Sequence, residues 1–227
     1  MILISIEGNI GSGKSTFLEY LKTHLGSECG NVAFVPEPVS SWNEIRDESG
    51  STILERYYDD QRSHAFAFQM MAYVSRLNLI KSVLGHNYDV IVMERSLRTD
   101  RFVFAQMLRD EGMMTKIEFD IYNTWFDSFL DDIPEPRVVY LRTSPDVALT
   151  RVGVRARPGE DIPLEYLAKC HRYHEEWRNA GEPPACSREP WIVLDADRQA
   201  DDQLFSQWTD AVRDCIRSAR GEAQSTS

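Results

Sequence analysis

The sequence predicts an α/β fold with a central five-stranded parallel sheet flanked by helices, and three observations carry the prediction. Five short apolar runs rich in β-branched residues recur along the chain, helical stretches separate most of them, and the first run leads straight through a glycine-rich loop into a helix. The runs are Ile2 to Ile6, Val32 to Val35, Val90 to Met93, Val138 to Leu141 and Trp191 to Leu194. The first helix is expected over Ser15 to Leu25. Ile53 to Leu84 is too long for one simple crossover and reads as two helical segments, the second starting near His64. A second helical pair is expected within Thr99 to Asp131. Asn179 to Pro190 holds three of the ten prolines and reads as a surface loop. With no internal repeat and no interdomain linker, residues 1–217 read as one domain and 218–227 as a small polar tail expected to fray.

The 227 residues, 42% hydrophobic and 11% aromatic, suffice to bury one core without cross-links. A net charge of -11 argues against polymeric nucleic acid or an anionic membrane surface as the main partner, since both attract basic surfaces. Cys29, Cys170, Cys186 and Cys215 lack the close paired spacing of a zinc or redox motif, so free thiols in a reducing compartment are expected. No apolar stretch is long enough to span a bilayer, and the first strand begins at once, which points to a cytoplasmic protein.

Gly8-Asn9-Ile10-Gly11-Ser12-Gly13-Lys14-Ser15, followed by Thr16, matches the phosphate-loop pattern in full and lies between a strand and a helix, as that pattern requires. Glycines let successive N–H groups converge on phosphate oxygens, and the positive end of the next helix points at the same place. Lys14 is expected to reach the β and γ phosphates of ATP or another nucleoside triphosphate, and Ser15 to offer its hydroxyl to Mg²⁺. The Asn-Lys-x-Asp guanine-reading motif is missing, and the Val90–Met93 strand ends in Glu94-Arg95-Ser96 where a motor ATPase would usually place Asp. A second carboxylate, Glu37, follows the Val32–Val35 strand and is placed to take a proton from an attacking hydroxyl.

Four motifs then occur in order: Ile6-Glu7-Gly8-Asn9-Ile10, Val35-Pro36-Glu37-Pro38-Val39, Glu94-Arg95-Ser96 and Ile162-Pro163-Leu164-Glu165-Tyr166-Leu167. From Ile2 to about Asp197 the chain resembles the deoxynucleoside kinases related to deoxycytidine kinase, deoxyguanosine kinase and the insect multisubstrate enzyme. The resemblance implies a P-loop kinase fold with an arginine-rich lid at about 151–161, ATP and Mg²⁺ as cofactors, and a deoxynucleoside as substrate. It makes Glu37 the base for the sugar 5′-hydroxyl, Arg95 its partner near the transferring phosphate, and Glu94 a carboxylate that helps to place Mg²⁺. It makes Arg151, Arg155 and Arg157 the lid arginines, and Tyr58 with Glu160 the pair for the sugar 3′-hydroxyl, although a lid one residue shorter than in deoxycytidine kinase lets Asp161 take that place. Gln69 matches the amide that reads the base edge, Phe68 and Phe104 the aromatic walls, and Trp42 the closing side of the pocket. A homodimer is implied through helices within 53–84 and 99–131.

Ala72, Arg76 and Asp100 occupy the positions that separate deoxycytidine and purine kinases of this family from thymidine-accepting ones. An Arg76–Asp100 ion pair beside Gln69 would leave less room for a thymine methyl, so deoxycytidine and purine deoxynucleosides are expected ahead of thymidine. Arg98 is expected near the same region, with no role assigned. The rivals are a thymidine or broad-specificity kinase, a nucleoside monophosphate kinase, and an inactive nucleotide-binding partner subunit. The monophosphate kinase would need added positive charge for the acceptor phosphate; the silent subunit would be expected to have lost Lys14, Glu37 or the lid arginines.

Overall fold

A computed structural model describes residues 1–156, 162–180 and 190–225. The five strands are β1 (Ile2–Gly8), β2 (Val32–Val35), β3 (Val90–Glu94), β4 (Arg137–Arg142) and β5 (Ile192–Asp195), paired in parallel in the order β2-β3-β1-β4-β5. Both faces of the inner strands β1, β3 and β4 are covered, which explains why these read as unbroken apolar runs. Along β1 and β3, Leu3, Ile91 and Met93 enter one core layer, while Ile4, Ile6, Val90 and Val92 enter the other.

The first layer packs under α2 (Val39–Glu44), α3 (Ile53–Asp59), α4 (Gln61–Leu84) and α7 (Lys116–Leu130), and the second under α1 (Lys14–His24) and α10 (Asp202–Ser225). A third cluster lies between α8 (Pro145–Arg155), α9 (Leu164–Asn179) and the segment after β3. Among the described residues no helix is long and apolar enough to cross a membrane; Cys29 and Cys170 are free thiols, and both they and Cys215 are buried.

Three elements differ from the sequence reading. Helix α4 starts at Gln61, ahead of His64, because the Asp60 carboxylate accepts from Ser63 N at 3.2 Å and caps the new helix there. The first helical stretch after β3 is composite: α5 (Leu97–Thr99) runs through a π-helical segment, Asp100–Ala105, into α6 (Gln106–Asp110). The tail expected to fray from Ser218 instead continues α10 to Ser225. Arg220 donates to the Glu28 and Cys29 carbonyls at 2.9 and 2.5 Å, and Glu222 pairs with Arg137, so the last turns are tied to the body.

Candidate active site

The carboxyl ends of β1, β2 and β3 open into a cavity of about 560 Å³ that runs from the glycine-rich loop to the α4 surface. The loop's shape depends on its glycines. Gly8 has φ 148°, and a Cβ there would stand 2.7 Å from the Leu141 carbonyl oxygen; at Gly11, φ 79°, it would stand 2.5 Å from that of Ala148. Asn9 ties the loop to α9 by donating to the Leu167 carbonyl at 2.8 Å, and its Oδ1 accepts from Ile10 N at 2.8 Å. Lys14 donates to the Asn9 carbonyl at 2.7 Å and toward Ser12 Oγ. Burial, aided by the nearby Arg95 charge, lowers the Lys14 ammonium to about 7.

Ser15 Oγ donates to Glu94 Oε1 at 3.0 Å, so a hydroxyl from the first turn of α1 and a carboxylate from the end of β3 face one point. This donor set fits Mg²⁺, a hard cation that takes oxygen ligands and commonly uses one or two protein groups beside phosphate oxygens and water. No group of three or more His, Cys, Asp or Glu placed to hold a metal occurs among the described residues.

The middle of the cavity is a buried charge network. Arg95 pairs with Glu37, and Arg76 donates to Glu37 at 3.2 Å, to Asp100 at 2.9 Å and to the Glu94 carbonyl at 2.7 Å. Arg76 and Asp100 are each 2% exposed. Burial pushes the Glu37 carboxyl up, but Arg95, Arg76 and Lys14 more than reverse this and hold it at about 2. Burial raises Asp100 despite the Arg76 charge beside it. The expected Arg76–Asp100 pair is therefore present, and it is joined to Glu37.

The far end of the cavity is aromatic. Trp42 meets Phe68 edge-on at 5.3 Å and fixes its ring by donating to Ser75 Oγ at 2.9 Å; the Arg95 guanidinium lies 5.1 Å from the Phe104 ring centre. Ala72, Tyr58 and Gln69 complete this lining, and Gln69 Oε1 is buried with no hydrogen-bond partner among the described residues. An amide oxygen left this way beside an apolar slot is suited to a ligand's donor. Asp100 and Phe104 both belong to the π-helical segment, so that irregularity supplies two lining positions.

Thr16, Arg151 and Arg155 also line the cavity. Arg151 is already engaged: its guanidinium donates to the Ala196 and Arg198 carbonyls at 2.8 and 2.7 Å, bracing the turn after β5. Arg157, Glu160 and Asp161 lie outside the described residues. Arg98 faces away from the cavity, 4.0 Å from Glu135 and beside a small hollow lined by Leu130, Ile133 and Pro134. Sequence reasoning missed Tyr57, which stacks on Phe68 at 4.6 Å and shares a 2.8 Å hydroxyl contact with Tyr166 in the cavity wall. Its only signal was an aromatic beside Tyr58, indistinguishable from ordinary core.

Comparison with known proteins adds a separate line. A family model described as deoxynucleoside kinase matches residues 4–217. The chain is 36% identical over 196 residues to deoxycytidine kinase of Rattus norvegicus, covering 77% of this chain and 74% of that protein. It is 37% identical over 196 residues to deoxycytidine kinase 1 of Xenopus laevis, covering 77% and 72%. It is also 33% identical over 217 residues to mitochondrial thymidine kinase 2 of Homo sapiens, covering 92% and 77%.

Proposed function

The chain belongs to the deoxynucleoside kinase family, a family of phosphotransferases, and on that premise we propose that it moves the γ-phosphoryl group of ATP to the 5′-hydroxyl of a 2′-deoxynucleoside, favouring deoxycytidine and purine deoxynucleosides over thymidine. The observation that carries the reading is one continuous cavity with Lys14 and Ser15 at one end, Gln69 and Phe68 at the other, and Glu37 with Arg95 between them. In-line transfer needs that order of parts: donor phosphates, proton acceptor and acceptor base in a single cleft.

In this reading the residues from Gly8 to Thr16, Lys14 above all, hold the donor, and Arg155 and Arg157 close over it. Ser15 and Glu94 hold Mg²⁺, which supplies neutralising charge at the phosphate oxygens. Arg95 stabilises charge on the transferring group, and Glu37 receives the 5′-hydroxyl proton. Free Glu37, held at about 2, is a weak base; it gains proton affinity as Arg95 shares its charge with the phosphates. Proton acceptance is thereby coupled to a correctly seated donor. Trp42, Tyr58, Phe68, Phe104 and Glu160 or Asp161 bind the nucleoside, and Gln69 reads its base edge.

Deoxycytidine kinases and a thymidine kinase both stand among the relatives, so base preference is argued from the pocket. The Arg76–Asp100 pair supports deoxycytidine and purines because it occupies, with charge fixed by hydrogen bonds, part of the cavity wall that Gln69 also lines. The reading extends to a cytoplasmic homodimer: Ile117, Ile121 and Trp125 recur every fourth residue along α7 and, with Val74 of α4, are exposed.

The test is monophosphate formation by purified protein with ATP-Mg²⁺ and deoxycytidine, deoxyadenosine, deoxyguanosine or thymidine in turn. Larger kcat/KM for the first three than for thymidine is the expected result. Thymidine in the lead overturns the base preference, and no product from any of the four overturns the acceptor assignment.

A further inference from the structure

Glu7 does not line the cavity, yet it is fully buried near the end of β1, and among the described residues its carboxylate accepts four hydrogen bonds. Its Oε1 accepts from Ser5 Oγ at 2.9 Å, Ser96 N at 3.0 Å and Ser96 Oγ at 2.7 Å, while its Oε2 accepts from Thr99 Oγ1. An acceptor-only carboxylate satisfies that set; an amide keeps one acceptor oxygen for Ser96 N but presents N–H to Thr99 Oγ1, whose hydroxyl must then accept where it now donates. Three of the four fall on Ser96 and Thr99, in the turn and the short α5 that follow Arg95.

That turn is strained. Arg95 is non-glycine at φ 62°, in the left-handed region that L side chains rarely adopt. A conformation of this kind persists only where the surroundings over-determine it. Here Arg95 N donates to the Ile6 carbonyl at 3.0 Å, and the next N–H, that of Ser96, is held by Glu7. From this backbone the Arg95 side chain reaches Glu37 and lies against Phe104, with Nε buried and unpartnered among the described residues.

We infer that Glu7 is a positioning residue for phosphoryl transfer, clamping the turn after β3 so that the strained Arg95 backbone aims its guanidinium at Glu37 and at the transferring group. The inference rests on the proposed kinase reading. It separates two acids that stand on adjacent strand ends: Glu94 faces the cavity and Glu7 faces the turn. Misplacing a catalytic group by about 1 Å can cost on the order of a hundredfold in rate, so the clamp acts on turnover more than on binding.

The test compares Glu7→Gln and Arg95→Lys, alone and together, by steady-state kinetics with ATP-Mg²⁺ and the best deoxynucleoside. Glu7→Gln is expected to lower kcat about tenfold to a hundredfold with both KM values within about twofold of the unmodified protein. In the Arg95→Lys background the same change is expected to cost less than about twofold, because the group it positions has gone. Equal losses in both backgrounds, or an unchanged kcat for Glu7→Gln, overturn the inference. Should Glu7→Gln fail to fold, Thr99→Val removes one donor from the clamp and is judged by the same two criteria. Unmodified protein that phosphorylates no deoxynucleoside overturns the kinase reading itself, an outcome distinct from an active parent with an indifferent Glu7→Gln.

Discussion

Arg76 donates to Glu37 at 3.2 Å while holding Asp100 at 2.9 Å, so a single guanidinium joins Asp100, on the cavity wall that Gln69 shares, to the carboxylate proposed to take the proton. In the proposed kinase, recognition and chemistry would thus share a buried charge. Replacing Arg76 alone strands Asp100, and breaking a buried pair from one side typically costs about 3–5 kcal/mol. Arg76→Met is therefore expected to lower the Tm sharply, while Arg76→Met with Asp100→Ala recovers much of it, measured by thermal unfolding. The double variant is also expected to lower the deoxycytidine-to-thymidine ratio of kcat/KM by about tenfold or more, about 1.4 kcal/mol of discrimination. An unchanged ratio would remove the pair from any part in specificity.

Glu37 gives a second prediction. Removing a positioned general base costs about 10²–10⁴ in rate, so Glu37→Gln is expected to lose that much kcat with little change in ATP affinity. Its pH signature follows from the folded carboxyl being held at about 2, below its ordinary 4.5. A depressed carboxyl contributes stability above the ordinary value and loses it as pH falls toward the folded one. The stability difference between the parent and Glu37→Gln is therefore expected to be constant near neutrality and to shrink between pH 4.5 and 2, read by urea unfolding. A difference that grew in that window would contradict the Arg95 and Arg76 contacts.

Much of this was legible in the sequence for identifiable reasons. The glycine-rich loop is a contiguous pattern, and at Gly8 and Gly11 the backbone geometry requires glycine, so the loop's shape between β1 and α1 was legible. The five strands lie within a residue or two of their apolar runs: the inner β1, β3 and β4 are buried on both faces, and the edge strands β2 and β5 keep β-branched apolar residues. What escaped depended on contacts distant in sequence. Thr99 meets Glu7 across 92 positions, and Arg151 turns to the carbonyls of Ala196 and Arg198, neither of which a local pattern encodes. The extension of α10 escaped because small polar residues lack helical periodicity, whereas Arg220 and Glu222 anchor it to other elements.

Lys14 carries the third prediction. Burial lowers its ammonium to about 7, so the amine is expected to give up its proton near neutral pH in the free protein. Triphosphate oxygens favour the charged form, and binding must restore the proton. Titration calorimetry of ATP without Mg²⁺, in two buffers of different ionisation enthalpy, is expected to record uptake approaching one proton at pH 8 and little at pH 6. Affinity is expected to weaken as pH rises through 7. Lys14→Met should abolish the buffer dependence, and equal uptake in that variant would assign the proton elsewhere.

The proposed homodimer supplies the last prediction. Ile117, Ile121 and Trp125 are 72%, 42% and 47% exposed at four-residue spacing on α7, and Val74 on α4 is 45% exposed. Residues at i and i+4 share a helix face, so these apolar side chains form a stripe, with Trp125 stacked on Phe129 at 5.9 Å. Aromatic anchors of this kind dominate interface energy, and truncating one commonly costs about 2 kcal/mol or more. Light scattering of the purified protein is expected to give twice the 26.1 kDa chain mass, and Trp125→Lys to shift it toward a single chain. Because the Tyr73 hydroxyl donates to the Trp125 backbone carbonyl, at 3.2 Å, the substitution leaves the α4–α7 hydrogen bond in place. Near-UV circular dichroism of the variant should therefore report an intact fold, and a parent that scatters as a single chain would end the homodimer reading.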